Sequence, residues 1–399
     1  MKIRLGVFFG GRSVEHEVSI ITALQAIAKI DKVKYEIIPI YIAKSGVWYT
    51  GKMLLDIDIY SDLDLLKRYA REVVLYNKDG RFLLQNKNGI LKRVVNEIDM
   101  ALPIMHGTNG EDGTLQGYFE TIGIPYAESG VYASAVGQDK VFMKQIFREN
   151  SVNVVKYKWF FDTDYLNDPD KIMKECEKLN YPMIVKPATL GSSVGIQVCH
   201  NQLELREAIL DAINYDSKIL VEEVITNLKE VNISVLGNYE HQELSTIEEV
   251  GSQNEILTYE DKYTGGKKGP SKGMASARRK IPANISEKLA HDVEEMALRA
   301  FRALNSSGVV RIDFLIDMET EKVYVNEINS IPGSLSFYLW EKTNKEYPEL
   351  LEDIINLGIV NYKNKNKKTI TFKNNILEGF NGLKGVKGIK GIKKWKKQY

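Results

Sequence analysis

Two short segments late in the chain carry the residue types best suited to chemistry. Val309–Ile316 alternates, so a strand there presents Arg311 and Asp313 on one face and Val310, Ile312 and Phe314 on the other. A polar turn leads to Val323–Ile328, where Glu327 and the following Asn329 share a face. Pairing the two segments as a hairpin brings Asp313, Glu327 and Asn329 together as three oxygen ligands, with Arg311 alongside. Hard oxygen ligands in small number suit Mg²⁺ held jointly with substrate phosphates. The competing reading is an exposed hairpin face with ordinary charges. Asp and Asn are poor strand formers, which favours the metal.

Other segments hold weaker signals. Val185–Gly195 is a glycine–serine loop with Lys186 at the end of the preceding strand. Its backbone N–H groups and hydroxyls suit phosphate oxygens, and the lysine adds positive charge. It is not a Walker A loop, because no Gly-Lys-Ser/Thr opens a helix. In Gly10–Glu17 two glycines admit a ligand to the backbone, and Glu15 is expected in the first helical turn. There it either complements the helix dipole or meets a substrate ammonium. His106–Gly113 is a glycine-rich turn after a strand, where open α/β sheets place ligands. Glu222 and Glu223, with Glu230 nearby, either face solvent or meet an adenine amine and ribose hydroxyls. Lys262 and Tyr263 lead into 264–280, rich in Gly, Ser and Lys, which reads as a mobile lid or a plain surface loop.

The elements that must position these residues follow from pattern. Ile3–Phe9 is an apolar run closed by Gly-Gly, a buried strand. Ile20, Ala23, Leu24 and Ile27 form one face of a helix, with Ser13 placed to cap it. Glu36–Ile42 reads as a second strand whose donor edge is free at Pro39. Asp99–Met105 is another, followed by a helix at Thr114–Ile122 that Gly123 stops. Strand, glycine turn and helix, twice over, indicate a parallel α/β unit. A helix at Asp139–Asn150, strands at Met183–Lys186 and Gly195–Cys199, and a long helix near Ser286–Leu304 complete the outline.

Composition limits the alternatives. At 399 residues, 44% hydrophobic and 27% charged, the chain is globular and long enough for two or three cores. No apolar run reaches the roughly 18–20 residues of a membrane span, and the N-terminus reads as a strand and not as a signal peptide. Cys176 and Cys199 match no metal spacing and suit buried thiols in a reducing cytoplasm. Residues 361–399 hold twelve lysines against the single acid Glu378, so the body is net acidic within an overall charge of +1. Nucleic-acid binding by the body is therefore not expected. The tail, with Trp395, is either a solubilising extension or a contact for anionic lipid or polymer, at about 1 kcal/mol per basic residue.

Taken in order, GGRSVEHEVS, HGTNGEDGTLQG, IVKPATLGSSVG, EDKY, VVRIDFLI and NEINSIPG resemble the D-alanine–D-alanine ligases, an ATP-grasp family. The match covers about Ile3 to Val360, and the first two strings separate this family from other ATP-grasp enzymes. The resemblance implies an α/β ATP-grasp fold: an N-terminal parallel α/β substrate domain (1–137), a central ATP-grasp subdomain (138–230) and a C-terminal subdomain with the metal site (231–362). A disordered basic tail (363–399) follows. It implies ATP contacts at Lys140, Lys186, Ser193, Glu222, Glu223, Val224, Glu230 and Lys262, and magnesium ligands at Asp313, Glu327 and Asn329 for two ions, with Mn²⁺ as a substitute. Glu15 matches the acid that holds the first substrate's ammonium, and Glu15, Ser192 and Tyr263 match a triad that closes the lid. Arg311 and the Gly333 backbone match the oxyanion donors, and His106 a residue lining the first-substrate site. The implied reaction is attack of a D-alanine carboxylate on ATP, then of a second D-alanine amine on the acyl phosphate. A cytoplasmic homodimer is also implied. The sequence departs from the family pattern where the second substrate's carboxylate binds, placing Tyr338 and Leu339 where Ser-Leu is usual, with Ser336 as a substitute donor. The second substrate is therefore open between D-alanine and D-serine. Tyr263 is the residue the family pairs with an amine nucleophile.

Overall fold

The structure, a computed structural model, describes residues 2–88, 92–251 and 279–369. Lys262, Tyr263, residues 264–278 of the expected lid and residues 370–399 of the tail lie outside the described residues.

The first sheet contains β1 (Ile3–Gly10), β2 (Tyr35–Ile42), β3 (Trp48–Thr50), β4 (Arg71–Lys78), β5 (Arg81–Asn86), β6 (Val94–Ile98) and β7 (Met100–Ile104). Their order is β6-β5-β4-β3-β2-β1-β7. Only β2, β1 and β7 are parallel, and β3 to β6 extend the sheet as antiparallel hairpins. Pro39 therefore does not mark a free edge, since β2 lies between β1 and β3. Pairing with β3 begins at Ile40, so the missing donor falls one residue outside the ladder.

The helix His16–Lys29 starts later than a cap at Ser13 implies. Glu15 occupies the N-cap position without capping through its side chain, and the Ser13 hydroxyl accepts from the Glu15 N–H at 3.1 Å. Glu15 therefore lies just outside the first turn, and its carboxylate accepts from the Ser192 hydroxyl of the next domain. The helix Thr114–Ile122 ends at Gly123, in the left-handed region at φ 78°, as its sequence implied.

The second sheet contains β8 (Tyr157–Phe161), β9 (Met183–Pro187), β10 (Gln197–Cys199) and β11 (Lys218–Glu223), all antiparallel, in the order β10-β9-β11-β8. The helix Lys140–Glu149 begins beside it, its N-cap Asp139 accepting from Val141 and Phe142. The third sheet contains β12 (Leu228–Gly237), β13 (Gln242–Leu244), β14 (Glu248–Val250), β15 (Arg279–Lys280), β16 (Gly308–Asp317) and β17 (Lys322–Asn329). Its order is β15-β14-β12-β16-β17, with β13 also on β12. Arg279 and Lys280, expected in the lid, are instead an edge strand paired with β14.

Helix Glu287–Ala303 covers one face of the third sheet. Leu289, Val293, Met296, Ala297, Ala300 and Phe301 pack on Val231, Ile233, Val310, Ile312 and Phe314. Each fully buried apolar side chain of this size stabilises by roughly 1.5–3 kcal/mol. Holding that face down leaves the opposite face, with Arg311 and Asp313, for the cleft. The final helix runs Tyr347–Asn366, so residues 363–366, expected in the tail, are helical. Among the described residues no helix is long and apolar enough to cross a membrane.

Candidate active site

The second and third sheets face each other across a cleft lined by residues from both, by Glu15 of the first domain and by Tyr338 near the C-terminus. At one end Ile184, Val198, Val224, Ile225, Leu228 and Leu315 form an apolar slot, with Glu223 and Glu230 at its margin. The middle holds Lys140, Lys186, Ser192, Ser193, Asn326 and Glu327. The far end holds Glu15, Arg311, Asp313, Asn329, Tyr338, Glu248 and Arg279. The cleft thus runs from apolar through cationic to mixed charge.

The β16–β17 hairpin forms as its sequence implied, pairing Arg311 with Asn329 and Asp313 with Glu327. One feature of its register decides the site. Strict alternation along β17 would put Glu327 on the core face with buried Val323 and Val325. The register shifts between Asp313 and Phe314, so Phe314 pairs with Val325 and Asn326 is the extra residue. Both Asn326 and Glu327 then line the cleft while Ile328 returns to the core.

Charges in the middle and at the far end neutralise one another. Arg311 donates from Nε and Nη2 to the two Asp313 oxygens at 2.6 and 2.7 Å, using two of its five N–H donors. Burial works against its charge, yet the carboxylate of Asp313 keeps the guanidinium protonated well above its ordinary range. Asn329 Nδ2 donates to Asp313 Oδ2 at 3.2 Å, and Lys140 Nζ lies 3.8 Å from Glu327 Oε2. Asp313, Glu327 and Asn329 offer oxygen donors alone on one wall. The described residues contain no group of three His, Cys, Asp or Glu placed for a metal, so the third donor of such a site is an amide. Two carboxylates and one amide fit Mg²⁺, whose remaining positions go to phosphate oxygens and water.

Glu222 differs from expectation. Glu222 is 1% exposed, and its two oxygens lie 2.6 Å from Lys144 Nζ and 2.6 Å from Lys186 Nζ. Burial opposes its ionisation, but the two ammonium groups outweigh it and hold its pKa at about 2. Its carboxylate is thus committed to lysines and not open to an adenine amine. Lys186 also donates to Asn326 Oδ1 at 3.2 Å, which links the two sheets across the cleft. Lys144 was not anticipated. Its signal was the spacing of Lys140 and Lys144, one helical turn apart on one face. Glu223, half-buried, lies 3.3 Å from Lys156 Nζ and accepts from the Asn180 N–H at 3.3 Å.

The Gly191–Val194 loop meets the first domain. Ser192 and Ser193 both have positive φ, 56° and 60°, and the Ser192 hydroxyl donates to Glu15 Oε1. Gly107 makes room for that carboxylate. A Cβ at Gly107 would lie 2.5 Å from Glu15 Oε2 and 2.5 Å from Ser13 Oγ, and φ there is +66°.

His106, expected to line the site, is buried behind it. Its Nδ1–H donates to Ile331 O at 2.7 Å, and Nε2 accepts from the Thr22 hydroxyl at 2.9 Å. Thr22 Oγ1 accepts in turn from the Ser334 N–H at 3.0 Å. Burial lowers the His106 pKa, in keeping with a neutral ring that fixes the loop after β17. Glu111, another residue missed, works on the same loop. It accepts from the Gly107 N–H at 2.8 Å and from the Ile331 N–H at 2.9 Å. Burial, with repulsion from Glu15, pushes its pKa up to about 8. Its signal was an acid inside the glycine-rich turn. Gly333 and Leu339 do not line the cleft, and Leu339 is fully buried. In the short helix Phe337–Trp340, Tyr338 faces the cleft and Leu339 turns into the core. Ser336 is fully buried as well, so it does not offer its hydroxyl to the cleft.

The chain is similar to known proteins over most of its length. The models for the D-ala D-ala ligase N-terminus and C-terminus match residues 4–129 and 146–356. A D-alanine–D-alanine ligase of Thermosipho melanesiensis is 42% identical over 378 residues, covering 94% of this chain and 98% of that protein. One of Natranaerobius thermophilus is 38% identical over 376 residues, covering 93% and 99%. Among solved structures, the D-alanine-D-alanine ligase of Coxiella burnetii matches with TM-score 0.77 at 28% identity, covering 92% of this chain and 96% of that one. The VanG D-Ala:D-Ser ligase of Enterococcus faecalis matches with TM-score 0.74 at 29% identity, covering 90% and 100%.

Proposed function

Since the chain belongs to the D-alanine–D-alanine ligase family, we propose that it joins two D-alanines at the expense of ATP, which is cleaved to ADP and phosphate, for peptidoglycan precursors. The observation that carries this reading is the single cleft in which Arg311, the Asp313–Glu327–Asn329 wall, two lysines and Glu15 converge.

The adenine occupies the apolar slot, with the Glu223 and Val224 backbone and Glu230 at the nucleoside. Lys140, Lys186 and the Ser192–Ser193 backbone take the phosphates. Mg²⁺ held by Asp313, Glu327 and Asn329 would neutralise phosphate charge as it shifts. Glu15 holds the ammonium of the first D-alanine, which aims its carboxylate at the γ-phosphate. That oxygen displaces ADP and gives a D-alanyl phosphate. The amine of the second D-alanine then attacks the carbonyl. Donors of Arg311 left over from Asp313 stabilise the oxyanion, phosphate leaves, and the amine proton passes to solvent or phosphate. Ser192 keeps Glu15 in place through its hydrogen bond.

The test is ADP release by the full chain with D-alanine, then with D-alanine plus D-serine or D-lactate, and identification of the products. No stimulation by any D-amino acid refutes the ligase reading; a D-alanyl-D-serine product in excess replaces the second substrate. We place the protein in the cytoplasm, where ATP and reduced thiols coexist; Cys176 and Cys199 are free and buried. A homodimer rests on the family resemblance and is read by sedimentation velocity. The basic segment beyond Asn366 is proposed to touch anionic surfaces; equal co-sedimentation of full-length and 1–369 chains with anionic vesicles rejects that contact.

A further inference from the structure

A row of polar residues crosses the third sheet on its cleft face. Glu248 pairs in register with Asn232, Asn232 with Asp313, and Asp313 with Glu327. Adjacent strands lie about 4.8 Å apart, so Glu248 stands roughly 10 Å from the Asp313 position. That is about the distance from a metal-bound phosphate, across the attacked carbonyl, to the far end of an amino acid whose amine attacks it.

The groups at that end are arranged for an anion. Arg279 sits with its guanidinium 4.9 Å from the centre of the Tyr338 ring, and its Nε is 3.3 Å from Glu248 Oε1. Tyr338 donates its hydroxyl to Glu248 Oε2 at 3.3 Å. Glu248 is 1% exposed, whereas the Arg279 side chain is 22% exposed and borders the cleft. The acid is thus buried behind the cation, and Glu248 opposes only one of the five guanidinium donors. Tyr338, the residue expected to replace a serine donor, has its hydroxyl engaged by the acid and its ring beneath the arginine. Arg311 is already held by Asp313 in a bidentate pair, whereas among the described residues Arg279 meets one carboxylate, through Nε to Glu248.

We infer that Arg279 receives the carboxylate of the second amino acid, and that Glu248 and Tyr338 are positioning residues that hold its guanidinium there. This rests on the ligase reading above. A planar fork suits a carboxylate bidentately, and the aromatic face below it limits its tilt. The site therefore selects an acceptor with a free α-carboxylate.

The experiment offers the full chain an equimolar mixture of D-alanine and D-alaninamide, which lacks the carboxylate. The ratio of D-alanyl-D-alanine to D-alanyl-D-alaninamide is read by mass spectrometry. Hydrogen bonds to a charged group correspond to roughly a tenfold to hundredfold effect, so Arg279→Gln is expected to lower that ratio by at least about tenfold. Arg279→Lys keeps part of the preference, Glu248→Gln lowers it less than Arg279→Gln, and the KM for ATP stays unchanged. A ratio unaltered in Arg279→Gln, with total turnover reduced or not, overturns the assignment, because a merely structural role affects both acceptors alike. A wild-type chain that makes neither product refutes the ligase reading itself.

Discussion

Changing Glu222 to glutamine removes one negative charge from between two buried ammonium groups. Each pair, at 2.6 Å, attracts by roughly 6 kcal/mol at an effective dielectric of about 20. The two lysines that share the carboxylate also repel one another. Wild type balances these terms, and the variant keeps only the repulsion. Lys144, 1% exposed, has an escape: it can shed its proton. From an ordinary value near 10.4 that costs about 5 kcal/mol at pH 7, which sets a ceiling on the loss. The expected destabilisation is about 3–5 kcal/mol, in the range for removing one partner of a buried pair. The sign of its pH dependence follows. In the variant the unfolded chain holds the Lys144 proton and the folded chain does not, so its stability relative to wild type recovers as pH rises. At pH 9 the ceiling is about 2 kcal/mol. Glu222→Gln combined with Lys144→Met removes the orphaned charge and should recover about 2 kcal/mol or more of the loss. Urea unfolding of wild type, both single variants and the double variant, at pH 7 and pH 9, measures this. Additivity within about 0.5 kcal/mol, with no pH dependence, would refute the electrostatic account.

Three other outcomes are expected. Asp313→Ala and Glu327→Gln should each lower ADP formation by about 10²-fold or more while circular dichroism stays native; intact turnover in either would remove that residue from the metal wall. Gly107→Ala places a methyl group against Glu15 and Ser13 in a left-handed backbone, so the KM for the first D-alanine should rise at least about tenfold, and an unchanged KM would separate Glu15 from that substrate. Glu111 holds a proton in the folded chain that the unfolded chain releases between its ordinary value of 4.5 and about 8, so this group lowers stability as pH rises through that window. Glu111→Gln should flatten the slope of unfolding free energy between pH 5 and 8, and an identical slope would show that Glu111 is ionised; the lost acceptor for Gly107 or Ile331 costs about 1–3 kcal/mol.

Local pattern was enough for the elements and for the chemistry. Helix Thr114–Ile122 stops at its glycine, and the apolar stripe of Glu287–Ala303 and the alternation of β16 are complete within a few residues. The six strings, from Gly10 to Gly333, were likewise legible without coordinates because each is contiguous. Asp313, Glu327 and Asn329 were assigned as a set from residue type and hairpin spacing, and the structure puts all three on the cleft wall. Yet strict alternation alone would have turned Glu327 inward. The extra residue at Asn326 turns it outward, and that shift exists only in the pairing with β16.

The same holds for the residues that were missed or misplaced. Glu222 became an ion-pair partner because Lys144 arrives from a distant helix, and Glu111 became a tether because Ile331 closes over it from another domain. Arg279 was read as part of a loop because two residues cannot announce a strand without the β14 edge they join. Sequence by itself determined which side chains were available and the period on which each segment repeats, since both follow from covalent order and local sterics. Which charges meet, which strand gains a residue, and which side of a short helix faces the cleft depended on long-range register, where burial of apolar faces and pairing of charges are satisfied together.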